Sequence, residues 1–161
     1  MAKELVELGA NPTEIPRHFT QKRPLSSLRI LQKALGSLTL YHEAKIAVLY
    51  VTGEDIAQSG ATVPDMEGIV DYARSLVTVE VAFFVMETED GLRISLRSKE
   101  LDVSKVAQDF GGGGHKVAAG FTLEHKDNSH IQESIDIILK KITETIIESN
   151  DKNINRDQNE K

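Results

Sequence analysis

The chain has 161 residues, of which 40% are apolar and 27% are charged. This length suits one compact domain with a hydrophobic core, and the composition excludes collagen-like, wholly disordered and membrane-embedded proteins. The formal net charge is −6, so the overall charge does not attract nucleic acid or an anionic membrane. The absence of cysteine excludes disulfides, zinc thiolate sites, iron–sulfur clusters and a cysteine nucleophile. The charged amino terminus lacks the pattern of a secretory signal, and we expect a cytoplasmic protein.

The first part of the chain is predicted to be a helical linker. A short helix over Ala2–Leu8 ends at Gly9, which is a common helix terminator. A second helix is predicted from Pro24 or Ser26 to Leu35, with leucines at helical spacing that give it one buried face.

The middle of the chain alternates predicted strands and helices. Continuous runs of branched apolar residues, four to eleven residues long, are typical of buried strands, and Glu89-Asp90-Gly91 indicates a tight hairpin turn. Strands are predicted over Lys45–Thr52, Val77–Glu87, Arg93–Ser98 and near Gly120–Leu123, and helices from near Glu54 and over Asp65–Ala73 and Val103–Phe110. The pattern predicts an α/β fold in which helices flank a mixed central β-sheet.

The last predicted element is an amphipathic helix over Ser129–Glu148, where isoleucine and leucine recur at helical spacing. From Ser149 to Lys161 the only apolar residue is Ile154. Residues 149–161 are therefore predicted to be a disordered tail.

One predicted strand carries a local positive charge. Side chains alternate along a strand, so Arg93, Ser95, Arg97 and Lys99 share the face opposite the leucines and the isoleucine. Forked guanidinium groups suit phosphate oxygens, and Ser95 or the adjacent Ser98 would add a hydroxyl donor. A solvated face of an antiparallel sheet shows the same alternation.

A run of four glycines follows this strand and is succeeded by two further candidates. Glycine gives a bare backbone whose successive N–H groups can converge on an anion. His115 could donate to a phosphate or stack on a base, and Lys116 is its neighbour. The alternative is an ordinary flexible loop, and the spacing matches neither a P-loop nor a dinucleotide fingerprint. The candidate residues are Gly111, Gly112, Gly113, Gly114, His115 and Lys116.

Several motifs together resemble a known domain. They are Arg97-Ser98, Asp102-Val103-Ser104, the segment from Phe110 to His115, and Ala118-Ala119-Gly120-Phe121. The combination resembles the DHH-associated domain, the accessory nucleic-acid-binding lobe of DHH-family phosphoesterases. It is most similar to the lobe of the bacterial nano-RNases, oligoribonucleases that also dephosphorylate 3′-phosphoadenosine-5′-phosphate.

The resemblance implies a domain organisation and a binding site. Residues 24–148 would form the substrate-binding domain, and residues 1–23 the end of the catalytic DHH lobe and a linker. The glycines and His115 would lie on the substrate-gripping loop, with Arg97 and Ser98 on the strand beside it. Arg93 and Arg74 are further candidates, in regions that match the family less sharply.

The resemblance also implies where the chemistry would take place. In this family a catalytic lobe holds two manganese ions and hydrolyses the phosphoester while the accessory lobe holds the nucleotide. The chain has no Asp-His-His, Asp-His-Asp or Asp-Thr-Gly motif, and its other histidines have no ligand spacing. We therefore expect part of a longer enzyme that is inactive alone and binds short RNA or 3′-phosphoadenosine-5′-phosphate beside the DHH lobe.

Two other interpretations remain open at this stage. The chain could be a module for homodimerisation or for docking a partner, using its apolar strands and last helix. It could also be the related accessory domain of a RecJ-type exonuclease or of an alanyl-tRNA synthetase.

Overall fold

The computed structural model describes residues 23–124 and 131–159, with side chains in the second range as far as residue 149. The predicted helix over Ala2–Leu8 and most of the predicted linker lie outside these residues. The strands are β1 (Thr39–Tyr41), β2 (Ile46–Val51), β3 (Val81–Thr88), β4 (Gly91–Ser98), β5 (Gly113–His115) and β6 (Ala118–Glu124). The helices are α1 (Leu25–Gly36), α2 (Gly53–Ser59), a 3₁₀ helix (Val63–Met66), α3 (Ile69–Arg74), α4 (Val103–Asp109) and α5 (Ile131–Asn159).

The strands form one mixed sheet in the order β1-β2-β3-β4-β6-β5. β2 and β3 are parallel, and every other pair is antiparallel. The parallel pair requires a crossover, which the segment from α2 to α3 supplies. This architecture confirms the predicted α/β fold with a mixed central sheet.

Helices cover the two faces of the sheet unequally. On one face, α4 and α5 pack across β2, β3, β4 and β6, and Phe83, Ile94 and Phe121 belong to this core. On the other face, α1, the 3₁₀ helix and α3 pack on β2 and β3, where Leu49 and Phe84 are buried. β4, β5 and β6 contribute no residue to this second core. Their half of that face is therefore uncovered within the described structure.

Three consecutive residues in the turn between β1 and β2 have a left-handed backbone conformation. Their φ values are 51° at His42, 56° at Glu43 and 65° at Ala44, a region that costs an L-residue roughly 1–2 kcal/mol. The turn is also tied to α5. Thr143 donates its hydroxyl proton to the Leu139 carbonyl at 2.7 Å. His42 Nε2 lies 3.0 Å from the same hydroxyl oxygen. Because the hydroxyl proton is already used, His42 Nε2 is the donor in this second hydrogen bond.

The last helix continues beyond its predicted end. α5 extends to Asn159, whereas the sequence predicts an end at Glu148 and a disordered tail over 149–161. This corrects the prediction for residues 149–159, and the physical reason is that no glycine or proline interrupts the helix from Ile131 onwards. Within residues 23–124 and 131–159, no helix is long and apolar enough to cross a membrane.

Candidate functional site

The uncovered half of the sheet carries the basic side chains of β4. Arg93 lies opposite Thr122, Ser95 opposite Gly120 and Arg97 opposite Ala118 in the pairing of β4 with β6. Directly opposed residues in a sheet share one face, and Gly113 and His115 of β5 lie opposite Gly120 and Ala118. We call this surface the basic face, and it consists of Arg93, Ser95, Arg97, Gly113, His115, Ala118, Gly120 and Thr122.

Small residues separate the cationic side chains of the basic face. Ala118 stands between Arg97 and His115, which are two strands apart, or roughly 10 Å at the usual strand spacing. In the next row, Gly113 and Gly120 follow Ser95 and present backbone only. A ligand can therefore approach the backbone in the centre while charged groups flank it.

The four glycines of the run have different roles. Gly111 ends α4 with a φ of 76°, and the next N–H, from Gly112, donates to the Ala107 carbonyl at 2.8 Å. A Cβ at Gly112 would lie 2.3 Å from the Gly120 carbonyl oxygen, and one at Gly114 would lie 2.5 Å from that of Ala118. A Cβ at Gly113 would meet nothing within 4 Å. Gly113 is therefore the glycine of the run whose bare surface belongs to the basic face.

Backbone and ring contacts hold the β5–β6 hairpin in place. Its turn residues accept hydrogen bonds at 2.8 Å on Lys116 and 3.1 Å on Val117, from the backbone N–H groups of Val103 and Ser98. On the side of the sheet covered by α4, the rings of Phe110 and Phe121 stack with centroids 4.5 Å apart. His115 is therefore carried by a hairpin fixed from two sides.

A capping carboxylate stabilises the start of α4, which precedes the glycine run. Asp102 accepts from the Ser104 hydroxyl at 2.5 Å and from the Ser104 backbone N–H at 3.2 Å. The hydrogen bond from the Ser104 side chain is the largest cause of a lowered pKa at Asp102. The carboxylate is therefore ionised and capping the helix at neutral pH.

Two neighbouring cavities open over the basic face. The inner cavity, of about 380 Å³, is lined by Val63, Met66, Glu67, Gly68, Val70, Phe84, Met86, Arg93, Ser95 and Arg97. The outer cavity, of about 480 Å³, is lined by Arg93, Ile94, Ser95, Gly113, Gly120, Phe121 and Thr122. Arg93 and Ser95 line both cavities, so the two adjoin, and we call them together the cleft.

The cations of the basic face are available to a ligand. Arg93 and Arg97 line the cleft, whereas His115 lies on the basic face outside both cavities. Within the described part of the chain, the side chains of Arg93 and His115 have no hydrogen bond or ion pair. Arg97 donates one guanidinium N–H to the Leu96 carbonyl at 2.9 Å, which leaves four of its five donors. The cleft can thus bind an anion without first breaking an ion pair.

Three predicted site residues lie elsewhere. Ser98 is completely buried on the opposite face, where its hydroxyl donates to the Leu101 carbonyl at 2.5 Å. Lys116 lines a separate cavity on the side of α5, with Asp102 and two glutamates. Arg74 is paired at 3.1 Å with Asp71 of its own helix and lines neither cavity of the cleft.

The structure distinguishes between the two serines that the sequence offers as hydroxyl donors. Ser95 lies at the centre of the basic face and lines both cavities. The alternation of the strand already placed Ser95 with Arg93 and Arg97, and Ser98 on the other face. Strand periodicity is therefore a better guide to this site than proximity in the sequence.

Comparison with known proteins agrees with the resemblance that the motifs indicate. The family model described as the DHHA1 domain matches residues 43–148. The bifunctional oligoribonuclease and PAP phosphatase NrnA of Thermus thermophilus is 26% identical over 136 residues, which cover 84% of this chain and 40% of that protein. An A-adding tRNA nucleotidyltransferase of Aquifex aeolicus is 26% identical over 143 residues, covering 85% of this chain and 16% of that protein.

A solved structure shares the fold. The exopolyphosphatase-related protein from Bacteroides fragilis superposes with a TM-score of 0.76 at 24% identity, covering 88% of this chain and 41% of that one. The chain therefore spans less than half the length of each of these relatives.

Proposed function

Because the chain belongs to the DHHA1 domain family, the accessory domains of DHH phosphoesterases, we propose that its basic face binds the phosphate groups of a nucleotide substrate. The proposed ligands are short single-stranded RNA and 3′-phosphoadenosine-5′-phosphate. They match the activities for which the NrnA relative is named, those of an oligoribonuclease and PAP phosphatase. The proposed partner is a catalytic DHH lobe of the same parent protein.

The observation that carries this proposal is the uncovered basic face. Arg93 and Arg97 offer forked donors suited to phosphate oxygens, and His115 lies in the same row as Arg97. The bare backbone at Gly113 lets a phosphate come close between them. This local charge acts despite the net charge of −6, because salt screens charges that lie farther from the phosphate than about 8–10 Å.

Manganese is proposed to belong to the DHH lobe. Over residues 23–124 and 131–149, no group of three or more histidine, aspartate or glutamate side chains could hold a metal ion. The described residues thus do not fit a manganese site, and we assign them no step of hydrolysis. Their proposed role is to bind and orient the substrate, whereas metal ions held by the DHH lobe would activate the water for hydrolysis.

The binding proposal can be tested with two nucleotides that differ by one phosphate. A ¹⁵N-labelled chain is titrated with the 5′-phosphorylated diribonucleotide pApA and with ApA, and amide shifts are followed by NMR. Shifts with pApA should concentrate on residues 93–97 and 113–122, and ApA should bind more weakly. Shifts that avoid the basic face, or equal binding of both nucleotides, would contradict the proposal.

A pair of arginine variants provides the matched control. Arg93→Gln should weaken pApA binding by roughly tenfold, because a charged hydrogen bond contributes on the order of 1.5–3 kcal/mol. Arg74→Gln should leave the affinity unchanged, because Arg74 lines neither cavity of the cleft. An equal effect of both variants would indicate general charge attraction instead of a defined site.

The division of labour between the two lobes needs a separate experiment. The chain alone should hydrolyse neither pApA nor 3′-phosphoadenosine-5′-phosphate in manganese buffer. The same chain joined to a complete DHH lobe should hydrolyse them, and Arg93→Gln should lower that rate. Hydrolysis by the chain alone would contradict the assignment of the chemistry to the other lobe.

A further inference from the structure

We propose that the inner cavity is a base-binding subsite that prefers guanine, with the Glu67 carboxylate as the group that recognises the base. This inference rests on the proposed function, since it assumes that the phosphate binds at the outer cavity. It adds a preference among bases, which phosphate binding by itself does not provide.

The two cavities of the cleft differ in their charged groups, and this difference fixes the direction in which the ligand lies. The outer cavity combines Arg93 with the bare backbone of Gly113 and Gly120. The inner cavity is lined by Arg93 and Arg97 and also by the carboxylate of Glu67, which offsets one of these positive charges and repels a phosphate. The lining of the outer cavity has a cation and no carboxylate. The phosphate is therefore placed in the outer cavity, and the nucleoside then extends towards Glu67.

The inner cavity has the surfaces that a flat base requires. Met66, Val70, Phe84 and Met86 are buried core residues that still line it, and they contribute a small apolar patch to a lining that is otherwise mostly polar. The guanidinium of Arg93 can stack on a ring, a contact that arginine makes readily. The volume of about 380 Å³ falls within the roughly 300–1,000 Å³ of small-molecule sites.

Glu67 supplies the polar group that would distinguish the bases. The residue is exposed. Its backbone N–H donates to the Pro64 carbonyl at 3.3 Å, whereas its carboxylate has no hydrogen bond or ion pair within the described part of the chain. An ionised carboxylate only accepts hydrogen bonds, and it can accept two in parallel. Guanine presents two adjacent donors, a ring N–H and an amino group. Adenine and cytosine each present one amino group beside a ring acceptor. Uracil presents one N–H between two carbonyl groups. Guanine is thus the base that satisfies both carboxylate oxygens.

The backbone of the segment that carries Glu67 is held in place, which fixes the position from which its side chain extends. Asp65 accepts hydrogen bonds from the Thr62 backbone at 2.8 Å and the Thr62 hydroxyl at 3.0 Å, closing a capping box on the 3₁₀ helix. The Ser26 hydroxyl of α1 donates to the same carboxylate at 3.4 Å. Gly68 then turns the chain into α3 with a φ of 79°. The backbone at Glu67 therefore needs no rearrangement when a base binds, and the ordering cost is confined to the side chain.

Isothermal titration calorimetry with 5′-GMP, 5′-AMP, 5′-UMP and guanosine tests the inference. The chain should bind 5′-GMP roughly tenfold more tightly than 5′-UMP, as one additional charged hydrogen bond predicts. Glu67→Gln should reduce this preference to about twofold or less, while 5′-UMP binding is kept. Glu54→Gln is the matched control, because Glu54 is an exposed carboxylate of α2 that accepts from Gln58 outside the cleft.

Each result separates the two proposals. Equal binding of the three mononucleotides, with guanosine weaker than 5′-GMP, would overturn the base preference and leave phosphate binding in place. Binding of none of them would overturn both. Equal weakening of all three by Glu67→Gln would overturn the base-reading role. The Glu67→Asp variant keeps the charge with a shorter reach and should lose the preference while unfolding at the same urea concentration as the unmodified chain.

Discussion

Two adjacent glycines of the run should respond in opposite directions to the same substitution. An alanine Cβ at position 112 would lie 2.3 Å from the Gly120 carbonyl oxygen and 2.4 Å from Phe121 Cβ. The first of these neighbours is backbone, so no side-chain rotation relieves the contact. At position 113 the same Cβ meets nothing within 4 Å, and the backbone has no positive φ. The matched pair is therefore Gly112→Ala and Gly113→Ala.

The expected free energies follow from these two environments. Gly112→Ala overpacks the contact between residue 112, which precedes β5, and Gly120 and Phe121 of β6, and overpacking typically costs about 1–3 kcal/mol. Gly113→Ala restricts the unfolded chain without native strain, which typically stabilises by about 0.4–1 kcal/mol. With a urea slope of about 2 kcal/mol/M, the unfolding midpoint should fall by about 0.5–1.5 M for the first variant and rise by about 0.2–0.5 M for the second.

Urea denaturation followed by circular dichroism measures both changes, and calorimetry with pApA measures binding. Gly113→Ala should bind pApA more weakly although its fold is at least as stable, because the added methyl occupies the outer cavity, which Gly113 lines. If both variants unfold at the same urea concentration, the assigned packing of β5 on β6 is wrong. If Gly113→Ala binds pApA as tightly as the unmodified chain, the phosphate does not approach the backbone there.

Three further predictions concern stability, the two serines of β4 and pH. Ala44→Gly should raise the free energy of unfolding by about 1 kcal/mol, because Ala44 has a φ of 65° that suits glycine. Ala57→Gly inside α2 should instead lower the free energy of unfolding by a similar amount. Urea denaturation of both variants measures the two changes. Ser98→Ala should lower the free energy of unfolding by about 1 kcal/mol, because it removes the hydrogen bond to the Leu101 carbonyl, and it should leave the affinity for pApA unchanged. Ser95→Ala should weaken pApA binding and leave the free energy of unfolding unchanged. Urea denaturation and calorimetry measure the two quantities. Hydrogen bonds from the Thr62 backbone and side chain lower the pKa of Asp65 below its usual 3.8. The ionised Asp65 therefore stabilises the fold fully above the usual pKa, and this stabilisation is lost as the pH falls through the lower pKa of the folded state. The difference between urea midpoints at neutral pH and at about pH 3 should therefore be smaller for Asp65→Asn than for the unmodified chain, and an equal difference would contradict this.

Periodicity alone predicts the central strands and the shared face of Arg93 and Arg97. It does not predict β1, since Thr39–Tyr41 is short and mostly exposed and has no apolar run. Nor does it predict β5, because glycine has little strand propensity. Pairing with β6 makes Gly113–His115 a strand, and this depends on contacts distant in the sequence.

Two predicted site residues show why proximity in the sequence is an unreliable guide within a sheet. Ser98 follows Arg97 directly, so the alternation of the strand places it on the opposite, buried face. Lys116 follows His115 directly, but it lies in the hairpin turn and lines a cavity on the side of α5. In both cases the residue next in the sequence lies on the other side of the sheet from its neighbour.

The location of the cleft follows from the topology of the sheet. A parallel pair of strands needs a crossover, and here α2, the 3₁₀ helix and α3 connect β2 to β3. α3 and the 3₁₀ helix lie on one face of the sheet over that pair. The hairpin from β3 to β4 is antiparallel and needs no crossover. The helical cover thus stops beside β4, and the inner cavity forms where the 3₁₀ helix and α3 meet the open strand. Arg93 and Glu67 are too far apart in the sequence to fall within one local window. The topology of the sheet places them on the same cleft.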